Sequence, residues 1–232
     1  MNSTLLHKIQ AIIFDFDGVL FDSELLHFES CNKVFNELGF NLTFNQDYIH
    51  KCVGIPDIDS FPVLFKEKGL HFSPEEINQF VNKKIQIYLD LIKSHNTLDS
   101  FSGMPEFIHA MSKMLSHFAI CSSSSHQEID LVLGKICNGD LKKYFKLITA
   151  IEDVTLGKPS PEGYLKTANF LKVPPENCLV IEDSRNGVNA AKAANMHVIA
   201  ITTTHDKSAL THADYIFNNY NEIKKFILDE LN

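Results

Sequence analysis

No cluster of lysines and arginines occurs anywhere in this sequence, and acidic side chains outnumber basic ones by 29 to 21, a net charge of −8 with neutral histidines. Without a basic surface to displace the counterions of a polyanion, no nucleic-acid partner is expected. A long apolar run is missing as well. The most apolar N-terminal stretch, Ala11 to Phe21, is broken by Asp15 and Asp17, and is too short and too charged for a signal core or a membrane span. The expectation is a cytoplasmic protein with no membrane partner. Paired cysteines are lacking: Cys31, Cys52, Cys121, Cys137 and Cys178 are odd in number and scattered, which reads as reduced packing residues rather than disulfides or a zinc site. There is no internal repeat, and no low-complexity tract beyond the serines of Ser122–Ser125. What is present is ordinary for a chain with a packed core: 44% apolar and 22% charged residues over 232 positions, enough for one large domain or a core with a smaller companion.

Short apolar runs rich in β-branched and aromatic residues recur at Ala11–Phe14, Phe118–Cys121, Leu147–Ile151, Leu179–Ile181, Val198–Thr202 and Tyr215–Phe217. Between them apolar residues follow a helical period: Phe107, Ile108, Met111 and Leu115; Ile129, Val132 and Ile136; Tyr164, Leu165, Ala168 and Leu171. Ser125 with Glu128 forms a capping box, and Ser160-Pro161 reads as N-cap and first helical position. Alternation of this kind predicts an α/β fold, a doubly wound, Rossmann-like parallel sheet covered by helices on both faces.

About 100 residues separate the first run from the second, where a βαβ unit needs only about 30. From Ser23 to about His95 the pattern is helical with no good strand. Phe28, Cys31, Val34, Phe35 and Leu38 form one stripe ending at Gly39, and a second helix opens at Ser73-Pro74-Glu75-Glu76 and carries Ile77, Phe80, Val81, Tyr88 and Leu91. The expected organisation is a small all-helical domain over residues 23–95, inserted after the first strand of a core made of 1–22 and 96–232. The return path Ser94 to Pro105 is rich in turn formers and reads as a hinge.

Open α/β sheets bind ligands beyond the carboxyl ends of their strands. Asp15, Asp17 and Gly18 follow the first run, Ser122 the second, Lys158 lies shortly after the third, and Glu182 with Asp183 end the fourth. Four carboxylates and one ammonium at one sheet edge cannot all stay ionised in a partly desolvated pocket without a further cation. The donors are hard oxygens with no histidine or thiolate cluster, which favours Mg²⁺ and phosphoryl chemistry. In that chemistry Asp15 is the nucleophile that forms an aspartyl phosphate, and Asp17 the acid for the leaving oxygen and then the base for water. Lys158 and Ser122 offset and hold the phosphoryl charge, and Asp183, assisted by Glu182, holds the metal.

These motifs, DFDGV at Asp15–Val19, Ser122 after AIC, Lys158 in GKPSP and Glu182–Asp183 in VIEDS, resemble the haloacid dehalogenase-like superfamily, in order and from Ile12 to Asp183. The resemblance is to its phosphatase and β-phosphoglucomutase-like branch, and it implies a helical cap where the insertion stands. It implies Asp15, Asp17 and Asp183 as metal ligands, Asp17 through its backbone carbonyl, with Ser122 and Lys158 holding phosphate. Glu182 would act on metal-bound water. Dehalogenases of the superfamily lack the second aspartate, so Asp17 points to phosphate. The implied activity is Mg²⁺-dependent hydrolysis of a small phosphorylated metabolite, a sugar phosphate or similar phosphomonoester, with no obligate protein partner.

Other readings stand beside these. Glu182 can brace the loop instead of serving the metal, and Ser124 is a secondary candidate beside Ser122. Lys158 can be a solvated surface lysine. Lys84 lies on an apolar stripe between Phe80 and Tyr88, where it either snorkels along the helix or closes over substrate phosphate. His27 is either structural or a link between cap closure and substrate. The alternative activities are a phosphohexomutase, a phospho-acceptor module and a non-catalytic phosphate-binding regulator. Against the mutase, relatives that isomerise β-glucose 1-phosphate carry an arginine where Asp57 stands, in the segment Cys52–Asp57.

Overall fold

The computed structural model describes residues 8–52 and 55–231. They divide into two compact units, one built of the residues up to Asp22 and from Thr97 onward, the other of Ser23–Asn96.

The first unit is organised by six strands, β1 (Ala11–Phe14), β2 (His117–Cys121), β3 (Phe145–Thr149), β4 (Cys178–Glu182), β5 (His197–Ile201) and β6 (Tyr215–Phe217). All pair in parallel, in the order β3-β2-β1-β4-β5-β6. The order reverses between β1 and β4, the switch point at which a doubly wound sheet opens a crevice at its carboxyl edge.

Because side chains alternate along a strand, the two faces can be read from parity. Ala11 and Ile13 of β1, with Cys178 and Val180 of β4, face one hydrophobic cluster shared with Tyr164, Ala168 and Leu171 and with Val188, Ala190 and Ala191. Those residues belong to the helices Glu162–Leu171 and Arg185–Ala193. Phe14 turns to the opposite face, where its ring meets Phe107 at 6.2 Å, and Phe107 meets Tyr220 at 5.3 Å. Each such aromatic pair adds about 0.5–1.5 kcal/mol beyond its buried area. The helices Met104–Met111 and Tyr220–Leu231 lie on that side, so the sheet is covered on both faces.

The second unit contains the helices Glu24–Glu37, Gln46–Cys52, Asp57–Glu67 and Pro74–Ser94, and no strand among its described residues. In chain order the α-helices of the described residues are α1–α4 (these four), α5 (Met104–Met111), α6 (His126–Leu133), α7 (Glu162–Leu171), α8 (Arg185–Ala193) and α9 (Tyr220–Leu231). The core of this unit is aromatic: Phe35 packs on Phe61 and Phe65, and Phe65 on Phe72 and Phe80. The Ser73 hydroxyl accepts from the Glu76 N–H while the Glu76 carboxylate accepts from the Ser73 N–H, closing the expected capping box at the start of α4.

Several boundaries differ from the sequence reading. β3 ends at Thr149 because Asp153 accepts the Ala150 N–H and turns Ile151–Asp153 into a short 3₁₀ segment. Pro161, not Ser160, is the cap residue of α7, and Leu165 is 41% exposed instead of core-facing. Leu115 and Ile136 lie beyond the ends of α5 and α6. The pattern did not single out α2 or α3; α3 carries Pro62 in its interior, which weakens any local helix signal. Of the segment Cys52–Asp57, Val53 and Gly54 lie outside the described residues, Cys52 ends α2, and Asp57 is the first residue of α3. No helix among the described residues is long and apolar enough to cross a membrane.

Candidate active site

Sheet register builds this site. Phe14 pairs with Ile181, and the Asp15 N–H donates to the Ile181 carbonyl at 3.0 Å, so Asp15 emerges beside Glu182 across the switch point. Parity turns both toward the face covered by α7 and α8. Lys158, on the loop entering α7, donates to Asp15 Oδ1 at 2.7 Å and to Glu182 Oε1 at 2.6 Å. Its loop is pinned by the Glu162 carboxylate, which accepts the N–H groups of Thr155 and Leu156 at 2.9 Å each. The surface reading of Lys158 is therefore incorrect: its side chain is only 10% exposed because two buried carboxylates hold it inward.

Asp15, Glu182 and Asp183 bring carboxylate oxygens to within 4.8 Å of one another, and all three are buried. Burial, and then the facing Glu182, push the Asp15 carboxyl up to about 7, although Lys158 pulls the other way. Burial also opposes ionisation of Glu182, yet Lys158 and hydrogen bonding overcome it and hold Glu182 below the usual range. The single charge of Lys158 does not balance the three carboxylates gathered here. Hard, oxygen-only donors with excess negative charge fit a small divalent cation such as Mg²⁺.

Glu182 itself is saturated. Its Oε1 accepts from Lys158 and from the Tyr164 hydroxyl at 2.8 Å, while Oε2 accepts the N–H groups of Asp183 and Ser184 and the Ser184 hydroxyl, each at 3.0 Å. Five donors occupy the roughly four lone-pair directions of a carboxylate.

Gly18 ties the loops after β1, β4 and β5 together. Its φ is +72°, and a Cβ there would lie 1.9 Å from Asp183 Oδ2 and 2.5 Å from Thr204 Oγ1, so only glycine fits. The Thr203 hydroxyl donates to the Gly18 carbonyl. The serine run lies beside Asp17. Ser124 Oγ donates directly to Asp17 Oδ2, whereas Ser122 Oγ accepts the Ser124 N–H at 3.0 Å and shapes the turn. Asp15, Lys158, Glu182 and Asp183 thus meet directly, and Asp17 joins Ser122 through Ser124.

His27 and Lys84 belong to the helical unit, where they meet each other. Lys84 is 5% exposed, lies 2.8 Å from Asp57 Oδ2 and donates to His27 Nδ1 at 2.9 Å. The His27 ring stacks on Tyr88 with centroids 4.1 Å apart. Snorkelling of Lys84 to solvent is thereby corrected: the half-buried Asp57 carboxylate and the His27 ring give the inward ammonium partners that offset its burial.

A family description, haloacid dehalogenase-like hydrolase, matches residues 12–201. The chain belongs to the haloacid dehalogenase-like hydrolases. A phosphorylated carbohydrates phosphatase of Thermotoga maritima is 31% identical over 208 residues, covering 88% of this chain and 91% of that protein. A validoxylamine A 7′-phosphate phosphatase of Streptomyces hygroscopicus subsp. limoneus is 28% identical over 214 residues, covering 91% and 94%. Among solved structures, a β-phosphoglucomutase from Clostridium difficile is 26% identical, covers 97% of each chain and superposes with a TM-score of 0.78.

In this haloacid dehalogenase-like hydrolase, sequence reasoning missed Tyr164, Gly187 and the Thr203–Thr204 pair. Tyr164 was read only as part of an apolar helical face, and its hydroxyl was the available signal. Gly187, read as a close-packing residue, has a sharper role: a Cβ there would lie 1.6 Å from Glu182 Oε1. Since Glu182 is pinned by five donors, it cannot yield. Gly187→Ala is expected to cost about 3 kcal/mol in urea unfolding, at the upper end for overpacking; a wild-type midpoint would contradict this.

Proposed function

We propose that the protein is a Mg²⁺-dependent phosphatase acting on a phosphorylated carbohydrate or similar small phosphomonoester through an aspartyl phosphate on Asp15. The observation that carries this reading is a buried nucleophilic carboxylate at the carboxyl end of β1, gripped by Lys158 and ringed by Glu182 and Asp183 at the switch point. The names of the Thermotoga and Streptomyces relatives support the substrate class.

Asp15 and Asp183, with the Asp17 carbonyl, would hold Mg²⁺, which supplies positive charge against the repulsion between carboxylate and phosphate. An Asp15 oxygen attacks phosphorus, the bond from phosphorus to the substrate oxygen breaks, and Asp17 gives that oxygen its proton. Asp17 then takes a proton from water as the water oxygen attacks phosphorus and releases phosphate from Asp15. Ser124 holds the Asp17 carboxylate in position for both transfers. One of the three ammonium N–H groups of Lys158 remains for a phosphoryl oxygen once Asp15 and Glu182 have taken two. Ser122 supports the phosphate through the turn it forms, and the saturated Glu182 braces Lys158 and the β4 loop instead of activating water. In this reading the helical unit, residues 23–95 of the expected organisation, would play the part of the family's cap, whose use is to exclude water while phosphorus is transferred.

The test is release of phosphate from p-nitrophenyl phosphate and from a panel of sugar phosphates. Turnover is expected to require Mg²⁺, to fall to background in EDTA and to return when Mg²⁺ is restored. Activity indifferent to EDTA would overturn the metal assignment, and no activity on any phosphomonoester would overturn the reading. The Clostridium relative keeps a phosphohexomutase as a second reading. Against it, Asp57 offers no cation to a second phosphate and neutralises Lys84. Conversion of glucose 1-phosphate to glucose 6-phosphate with a bisphosphate primer would reverse that ranking.

A further inference from the structure

Tyr164 has no part in the chemistry above, yet it is fully buried against the two charged side chains on which that chemistry depends. Its hydroxyl donates to Glu182 Oε1 at 2.8 Å, the same oxygen that receives Lys158 at 2.6 Å. The Lys158 ammonium also lies 5.1 Å from the centroid of the Tyr164 ring, within cation–π range. One side chain therefore touches both members of the pair, by its edge and by its face. The placement follows from α7: Tyr164 sits two residues after its first residue, Glu162, while Lys158 lies on the entering loop.

We infer that Tyr164 is a positioning residue of the phosphoryl-transfer site, which fixes Glu182 and the direction of the third Lys158 N–H toward the phosphoryl group. This inference rests on the reading of the site as a phosphatase. An ammonium has three donors on a freely rotating head. Asp15 and Glu182 take two, and the ring closes off one side, leaving a single direction for the third. Without the hydroxyl, Glu182 Oε1 keeps Lys158 as its side-chain donor among the described residues and draws the ammonium away from Asp15. The effect is largest where charge on the phosphoryl oxygens is largest, in the transition state.

Tyr164→Phe keeps the ring and deletes the donor. Loss of one hydrogen bond to a charged acceptor predicts about a tenfold fall in kcat on p-nitrophenyl phosphate with KM changed by less than about threefold. Orthovanadate, which takes the five-coordinate shape of the transition state, is expected to lose about tenfold in Ki, and inorganic phosphate less than about threefold. The ratio of the two Ki values does not depend on how much of the variant is folded, so a merely structural role would leave it unchanged. Tyr164→Leu, lacking ring and hydroxyl, is expected to fall further on both measures. A Tyr164→Phe enzyme with wild-type kcat and vanadate Ki overturns the inference, even with the wild type active and Mg²⁺-dependent; a wild type inactive on every phosphomonoester overturns the phosphatase reading instead. If Tyr164→Phe does not accumulate, 3-fluorotyrosine at position 164 keeps the side chain. Its ¹⁹F resonance is expected to shift when vanadate binds, and a resonance that does not move counts against coupling of the ring to the site.

Discussion

Asp15→Asn is expected to abolish turnover of p-nitrophenyl phosphate, lowering kcat by at least about 10⁴-fold, because an amide cannot form the covalent intermediate on which the proposed route depends. The substitution is isosteric and removes a buried negative charge that faces Glu182. The unfolding midpoint of the variant in EDTA is therefore expected to be no lower than that of the wild type. Dead enzyme with an intact fold separates loss of a nucleophile from loss of structure. Retention of activity to within tenfold would remove Asp15 from its assigned role.

Lys158→Met is expected to damage both activity and stability. The ammonium is the cation shared by Asp15 and Glu182, and methionine fills similar space without charge. Removing one partner of a buried pair costs about 3–5 kcal/mol, because the other carboxylates stay buried without compensation. On the proposed mechanism, loss of the Lys158 charge is expected to lower kcat by about 10²–10³-fold, the range seen for a single transition-state donor. Urea unfolding in EDTA and in Mg²⁺, beside steady-state kinetics, checks both, with Mg²⁺ expected to restore part of the lost stability. Lys142→Met is the contrast: its pair with Asp130 is more than half exposed on both sides, and such pairs contribute at most about 1 kcal/mol. A Lys158→Met protein as stable in EDTA as the wild type would show that the buried carboxylates do not need their cation.

The parts of the site that could be read in advance share one property. Asp15, Ser122 and Asp183 each follow a strand, Glu182 ends one and Lys158 lies on the loop beyond another, and the apolar pattern of those strands marks where the chain leaves the core, so local composition locates the polar end. The parallel sheet was legible for the same reason, since strands buried on both faces read as continuous apolar runs. Tyr164 and Gly187 were not legible as site residues, because a tyrosine on an apolar face and a glycine in a helix have ordinary packing explanations. Only the partner each one meets, Glu182 in both cases, distinguishes them. Lys84 was legible as an anomaly on an apolar stripe but not as an ion pair, for Asp57 lies 27 positions earlier and nothing local links the two.

What the amino-acid order determined by itself is the class of fold and the inventory of reactive groups. Alternating apolar runs and helical stripes leave few architectures open, and strand ends must carry whatever chemistry the sheet edge performs. What tertiary structure alone decided is how the groups divide the work. Glu182 meets five donors, Ser124 rather than Ser122 reaches Asp17, and Lys158 bridges two carboxylates under a tyrosine ring. The reason is physical: a side chain's charge and hydrogen-bonding capacity are properties of the residue, but which partners consume that capacity depends on strand register and loop packing between segments as far as 143 residues apart.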